Sequence, residues 1–173
     1  MWGLDVFAWR SSFARPVGSA GIFALTLSCL LPDMAAAQTF TVPSGTMDTT
    51  PKTLSGTQTG TVESGGTLRS TSGTATIIWN NTSTGVVITN SGIIENTSTG
   101  RAIDSSGGAT PRTLTFLNNI GAILRTSQAD AFRINTNASS GTIIIDNAGL
   151  IQAGGTGYAG LGQALDFRTI AAG

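Results

Sequence analysis

Short apolar runs alternate with turns rich in Gly, Asn and Ser from about residue 59 to the end of the chain. The clearest recurring feature is an Asn-x-Gly triplet, whose members are Asn90 and Gly92, Asn119 and Gly121, and Asn147 and Gly149. The glycines are 29 and 28 residues apart, and a degenerate copy, Ser64-Gly65-Gly66, precedes them. This spacing indicates an internal repeat of about 28 residues.

Apolar positions on both sides of the triplet agree with the repeat. Four residues before each glycine lie Val62, Ile88, Leu117 and Ile145, and two residues after it lie Leu68, Ile94, Ile123 and Ile151. A second marker, Ala followed by a large apolar residue, occurs as Ala102-Ile103, Ala131-Phe132 and Ala164-Leu165. The third copy carries a five-residue insertion around the glycine-rich run at 154–160, which we interpret as a projecting surface loop.

A repeat of this length without helical periodicity is too short for a propeller blade and lacks the helix of a leucine-rich repeat. We therefore predict an all-β fold, a parallel β-helix (solenoid) of about four coils over residues 59–173. The Ile and Leu columns are expected to stack inside it, and Ile123 is expected between Ile94 and Ile151. Asn90, Asn119 and Asn147 are expected to form an amide ladder, beside glycines in tight turns.

The first 58 residues do not fit the repeat. Residues 1–37 predict a secretory signal peptide, with basic Arg10 and Arg15, an apolar run at 18–31 that is too short to span a bilayer, and small residues Ala35 and Ala37 before Gln38. Cleavage is expected after Ala37. A lipid-anchored alternative at Cys29 lacks the Leu expected three residues earlier. Residues 38–58 are interrupted by proline and predict a cap or lead-in strand.

Composition narrows the chemistry. From residue 38 onward, Thr, Gly, Ser and Asn make up half of the chain, and seven basic residues balance seven acidic ones, so neither nucleic acid nor an anionic membrane surface is an expected partner. The chain has no His, and its one Cys precedes the predicted cleavage point. We expect no cofactor, no metal site with nitrogen or sulfur ligands and no thiol or imidazole catalysis.

Carboxylates and arginines are the remaining candidates for catalysis: Glu95, Asp104, Asp130, Arg133, Asp146 and Asp166. Asp104, Arg133 and Asp166 follow the Ala-apolar marker, so they are expected on one face, where opposite charges favour cross-strand ion pairing. A groove that holds three ionised groups within hydrogen-bonding reach would favour an enzyme. An uncharged and regular face would favour a binding module.

Four segments resemble the passenger region of bacterial autotransporter proteins: 90–94 (NSGII), 100–104 (GRAID), 144–155 (IIDNAGLIQAGG) and 162–167 (GQALDF). The resemblance covers about residues 60–173. It implies a right-handed β-helix, exported through the periplasm to the surface of a Gram-negative cell or secreted from it.

The same resemblance implies a non-enzymatic role in adhesion, aggregation or virulence, with host glycan, matrix or further copies as partners. In that family a C-terminal barrel carries the passenger across the outer membrane. No barrel-like series of strands is present here, so an N-terminal fragment is expected, with the outer membrane a partner only through a barrel outside this chain. The alternatives are a polysaccharide lyase or hydrolase on the same scaffold and a filamentous-haemagglutinin-type secreted protein.

Overall fold

The computed structural model describes residues 40–105, 113–134, 141–154 and 162–167. The chain divides into two units, Met1–Ala36 and Ala37–Gly173, and all of the described residues belong to the second. The predicted signal peptide, its cleavage site at Ala35, Ala37 and Gln38, and the loop at 155–160 lie outside the described residues.

Within these ranges the fold consists of β-strands joined by turns, arranged in three parallel sheets that we name A, B and C. Sheet A contains β1 (Phe40–Val42), β4 (Thr59–Val62), β7 (Val86–Asn90), β10 (Leu114–Asn118) and β13 (Ile143–Asn147). Sheet B contains β2 (Met47–Asp48), β5 (Thr67–Ser70), β8 (Ile93–Asn96), β11 (Ile123–Thr126) and β14 (Leu150–Gln152). Sheet C contains β3 (Lys52–Gly56), β6 (Ile77–Ser83), β9 (Ile103–Ser105), β12 (Phe132–Arg133) and β15 (Leu165–Asp166).

The chain passes through sheets A, B and C in turn, so the predicted parallel solenoid is confirmed. Three turns, β4–β6, β7–β9 and β10–β12, are paired on both edges, and β1–β3 and β13–β15 lie at the two ends. The prediction of about four coils is therefore wrong in its count. The segment predicted as a cap supplies β1, β2 and β3, which pair with β4, β5 and β6, and the register of β3 with β6 shifts between Leu54 and Gly56.

Successive side chains of a strand point to opposite faces of the sheet, and one face of each strand lies in the core. In β7, Val86, Ile88 and Asn90 are buried, whereas Val87 and Thr89 between them face outward. Parallel pairing in register stacks equivalent residues of successive turns, which gives continuous apolar columns inside. The largest side chains, Trp79, Phe116 and Phe132, are fully buried, and the rings of Phe116 and Phe132 lie 5.7 Å apart.

The register differs from the predicted columns in the turn that contains β10 and β11. Ile88 and Ile145 flank Phe116, not Leu117, which pairs with Thr89 and Asp146 on the outward face. Ile94 and Ile151 flank Leu124, not Ile123, which pairs with Ile93 and Leu150 and faces outward. The predicted members Leu117 and Ile123 are therefore one residue away from the core column. Val62 is buried but is also out of its predicted column, because Gly60 pairs with Ile88 and Val62 pairs with Asn90.

Turn length explains the shift. Two residues, Ser91 and Gly92, connect β7 to β8, whereas four residues, 119–122, connect β10 to β11. The predicted alignment assumed that all Asn-x-Gly triplets occupy the same turn position. In the structure Gly92 and Gly149 are equivalent to Ala122, because Ile93, Ile123 and Leu150 follow them in register. Gly121 instead has a φ of 80° and is equivalent to Gly45 and Gly65 in the other two four-residue turns, 43–46 and 63–66, where φ is 72° and 80°.

No helix in the described ranges is long and apolar enough to cross a membrane.

Candidate functional site

Three polar assemblies follow the stacking of the turns: an Asn ladder between sheets A and B, and one charged cluster on each of sheets B and C. Each arises because a residue type recurs at an equivalent position of successive turns, where parallel strands hold the side chains side by side.

The Asn ladder consists of Asn90, Asn118 and Asn147. Asn90 Nδ2 donates to Asn118 Oδ1 at 2.8 Å, and Asn118 Nδ2 donates to Asn147 Oδ1 at 2.7 Å. Each donor also reaches a carbonyl of the next turn, that of Ile123 at 3.0 Å and that of Leu150 at 3.3 Å. The ladder therefore closes the corner between sheets A and B, and the amides of Asn90 and Asn118 are buried and hydrogen-bonded.

The structure brings Asn90 and Asn147 together as predicted but places Asn118 between them, where Asn119 was expected. Asn119 is exposed, and its Nδ2 donates to Ser91 Oγ at 2.8 Å. Two adjacent asparagines made the ladder position ambiguous, and only the inward spacing of Phe116 and Asn118 on β10 distinguishes them. The ladder has a structural role.

The sheet B cluster contains Arg69, Glu95 and Arg125, which pair in register on β5, β8 and β11. The Glu95 side chain is 2% exposed. Its Oε1 accepts from Arg69 Nε at 2.5 Å, and its Oε2 accepts from Arg125 Nε at 2.6 Å. One carboxylate therefore sits between two guanidinium groups, and all three lie on the outward side of the sheet.

The sheet C cluster contains Arg101, Asp104, Asp130 and Arg133. Arg133 forms a two-pronged contact with Asp104, from Nε to Oδ1 at 2.9 Å and from Nη2 to Oδ2 at 2.8 Å. Arg101 Nε donates to Asp130 Oδ2 at 3.1 Å. Asp166 is buried and pairs in register with Arg133. The predicted alignment of Asp104, Arg133 and Asp166 on one face is confirmed, as is the ion pair of Asp104 with Arg133.

The other predicted carboxylates are divided among the sheets. Glu95 lies on sheet B, and Asp146 is exposed on sheet A opposite Leu117. Three further members of the clusters, Arg69, Arg101 and Arg125, were not among the candidates predicted from the sequence. Arg69, Glu95 and Arg125 each directly follow a member of the same core column, Leu68, Ile94 or Leu124. Because the predicted column contained Ile123 in place of Leu124, the equivalence of Arg125 to Glu95 was not recognised.

A surface cavity of about 310 Å³ adjoins the sheet B cluster and is lined by Glu95, Asn96, Thr97, Arg125, Thr126, Ser127 and Gln152. The cluster thus holds three ionised groups within hydrogen-bonding reach, the arrangement named above as favouring an enzyme. It contains one carboxylate, and both oxygens of that carboxylate accept from arginines. General acid–base catalysis on a glycosidic bond ordinarily needs a second carboxyl group, and no second one lines this cavity.

Among the described residues no group of three or more His, Cys, Asp or Glu could hold a metal ion. Comparison with protein-family models, with curated proteins and with solved structures found no match to this chain. The solenoid and its surfaces are therefore the basis for a functional proposal.

Proposed function

We propose that this chain is an exported, non-enzymatic passenger module resembling those of autotransporters, a right-handed β-helix displayed on or released from a Gram-negative cell. Its role is adhesion or aggregation, through contacts with host glycan, matrix or further copies of itself. A filamentous-haemagglutinin-type secreted protein is the related alternative.

The main support for the proposal is that the carboxylates of the two charged clusters are paired with arginines. Glu95 is held between Arg69 and Arg125, and Arg133 holds Asp104, in contacts that join one turn to the next. Side chains engaged in this manner support the stack, whereas catalytic carboxylates need to exchange protons with a substrate. Such pairing favours a surface that binds a partner over a surface that carries out catalysis.

The outward face of sheet A supports the same proposal. Thr41, Thr61 and Thr89 stack in register on β1, β4 and β7, so their side chains form a regular row. Hydroxyl groups both donate and accept hydrogen bonds, and an extended regular surface with such groups suits a repetitive polymer. Solenoids use their long faces in this way.

The first test is surface exposure and binding. We expect the mature chain on intact Gram-negative cells to be accessible to added protease, and the purified chain to bind immobilised matrix proteins or glycans. A variant with Thr61→Glu and Thr89→Glu should lose binding to the sheet A face while keeping its β-sheet circular dichroism. Ile93→Glu on sheet B is the matched outward control. A chain retained inside the cell and without binding would contradict the proposal.

The second candidate is a polysaccharide-acting enzyme, favoured by the three ionised groups beside the 310 Å³ cavity. The measurement is release of new reducing or unsaturated ends from acidic and neutral polysaccharides. We expect no release above that of buffer. Product formation by the native chain that Glu95→Gln abolishes, with the fold intact, would establish the enzyme instead.

A further inference from the structure

The charged cluster on sheet B presents positive charge to solvent. Arg69, Glu95 and Arg125 occupy equivalent positions of β5, β8 and β11, and Gln152 follows them on β14. We name these four residues the sheet B column. The Glu95 side chain is 2% exposed, whereas the side chains of Arg69 and Arg125 are 34% and 43% exposed. The carboxylate is therefore hidden while both arginines reach solvent, and one positive charge of the cluster is left uncompensated.

Each arginine of the column uses only part of its hydrogen-bonding capacity on Glu95. Arg69 donates to Glu95 from Nε, and Arg125 contacts it from Nε and Nη2. Among the described residues, the Nη groups of Arg69 and the Nη1 group of Arg125 have no hydrogen-bond acceptor. A guanidinium group has five N–H donors in a planar fork that matches the oxygens of an oxyanion. The column therefore retains donors for a negative group from outside the chain.

Neutral polar groups surround Arg125. The cavity of about 310 Å³ beside it is also lined by Thr97, Ser127 and Gln152, and all three of these residues are exposed. Their hydroxyl and amide groups both donate and accept hydrogen bonds, as sugar hydroxyls do. A ligand that combines a negative group with several hydroxyl groups therefore fits this cavity better than a simple anion does.

An apolar strip on the same face lies next to the column. Ile123 and Leu150 are two residues before Arg125 and Gln152 and point to the same side of the sheet, and Leu150 is 49% exposed. The C–H face of a sugar ring packs on such side chains because the contact removes apolar surface of both from water. The column crosses four strands, so a ligand that follows all of it extends for about 14 Å along the solenoid.

We propose that the sheet B column binds an acidic polysaccharide, whose carboxylate or sulfate groups accept hydrogen bonds from Arg69 and Arg125. The sugar hydroxyls contact the polar rim of the cavity, and the rings pack on Ile123 and Leu150. A nucleic acid is a poorer partner, because its dense backbone charge is bound by many basic groups. Two arginines on a chain with no net charge do not supply them.

This inference rests on the proposed function, because it names the class of glycan that the chain binds. The two fail separately, since binding to sheet A is measured with matrix proteins and neutral glycans. Ile93→Glu is a control for sheet A with those probes only, because it adds an acid to the sheet B face two residues before Glu95. A chain without preference for acidic glycans would leave surface exposure and sheet A binding unaffected.

The test is the affinity of the purified chain for dextran sulfate and for polygalacturonate, measured by isothermal titration calorimetry. Dextran and methyl-esterified polygalacturonate are the neutral counterparts with the same backbones. We expect each acidic polymer to bind about tenfold more tightly than its neutral counterpart, because hydrogen bonds to charged groups are stronger than those between neutral groups. Added salt should reduce this difference, because it screens exposed charges.

Substitution of Arg125 locates the binding. Arg125→Gln should raise the dissociation constants of the acidic polymers about tenfold and leave those of the neutral polymers unchanged. Arg133→Gln on sheet C is the matched control, because it removes the same charge from an arginine whose Nε and Nη2 are both held by Asp104. Gln152→Glu is a second variant that weakens acidic binding while both ion pairs of Glu95 are retained. Circular dichroism checks the fold of each variant.

Three results would overturn the proposal. One is equal affinity for acidic and neutral polymers, and another is equal weakening by Arg125→Gln and Arg133→Gln. The third is binding of duplex DNA as tight as that of dextran sulfate, because the chain would then respond to negative charge alone. Tighter binding of either dextran sulfate or polygalacturonate, lost in Arg125→Gln, would support the proposal and identify the anionic group that the column recognises.

Discussion

At the scale of single residues, adjacent positions on one strand have opposite consequences because side chains alternate between core and solvent. Leu124 is fully buried between Ile94 and Ile151. We expect Leu124→Asp to cost about 4 kcal/mol or more, because it buries an unpaired charge. The neighbouring Ile123→Asp should cost less than about 1 kcal/mol. Urea unfolding followed by circular dichroism measures both, and equal losses would contradict the register.

The Asn ladder offers a second comparison between neighbours. Asn118→Ala removes a side chain that accepts from Asn90 and donates to Asn147 and to the Leu150 carbonyl. Leaving buried polar groups without partners should lower the free energy of unfolding by about 2–3 kcal/mol. Asn119→Ala removes one exposed contact, with Ser91, and should cost about 0.5 kcal/mol. A larger loss of stability in Asn119→Ala than in Asn118→Ala would indicate that Asn119, and not Asn118, belongs to the ladder.

At the scale of elements, turn length sets the register of the strands that follow. A Cβ added at Gly92 would overlap the carbonyl oxygens of Gly66 and Glu63 in the preceding turn, whereas one added at Gly121 would meet no atom within 4 Å. Gly121 is required for its φ of 80° alone. We expect Gly92→Ala to cost about 3 kcal/mol and Gly121→Ala about 1 kcal/mol, by thermal and urea unfolding. Equal costs would show that the two turns are equivalent.

The lengths of these turns also explain which parts of the fold could be predicted from the sequence and which could not. The repeat in the sequence was sufficient to predict a parallel solenoid. The Ala-apolar marker predicted the positions of β9, β12 and β15 and the ion pair of Asp104 with Arg133. A fixed repeat length could not detect that the β7–β8 connection has two residues and the β10–β11 connection four. In β7, Val86, Val87 and Ile88 are all apolar, so alternation does not define the inward face. The contacts across the stack define it, and they became visible only in three dimensions.

At the scale of the whole molecule, the β1–β3 end of the solenoid contains the ion pair of Asp48 with Lys52, and the stability of this end depends on pH. Burial by itself would raise the pKa of Asp48. The hydrogen bond from Lys52, the hydrogen bond from the Thr50 backbone and the charge of Lys52 outweigh burial and hold that pKa below its ordinary value of 3.8. An acid with a lowered pKa in the folded state stabilises the fold fully above its unfolded pKa, and this contribution is lost as the pH falls through the folded value.

We therefore expect the free energy of unfolding to decrease as the pH falls from about 5 to about 2, in part because Asp48 is protonated. Asp48→Asn should be less stable than the native chain at neutral pH and should show a smaller decrease over this range. Asp146→Asn, which alters an exposed carboxyl on sheet A, is the matched control. If protonation releases Lys52 from the core, the β1–β3 end also loses its charge balance, and hydrogen exchange in β1 and β2 should accelerate before that in β7 and β8. Acid-induced exchange that begins in the central turns would place the loss of stability elsewhere than at the β1–β3 end.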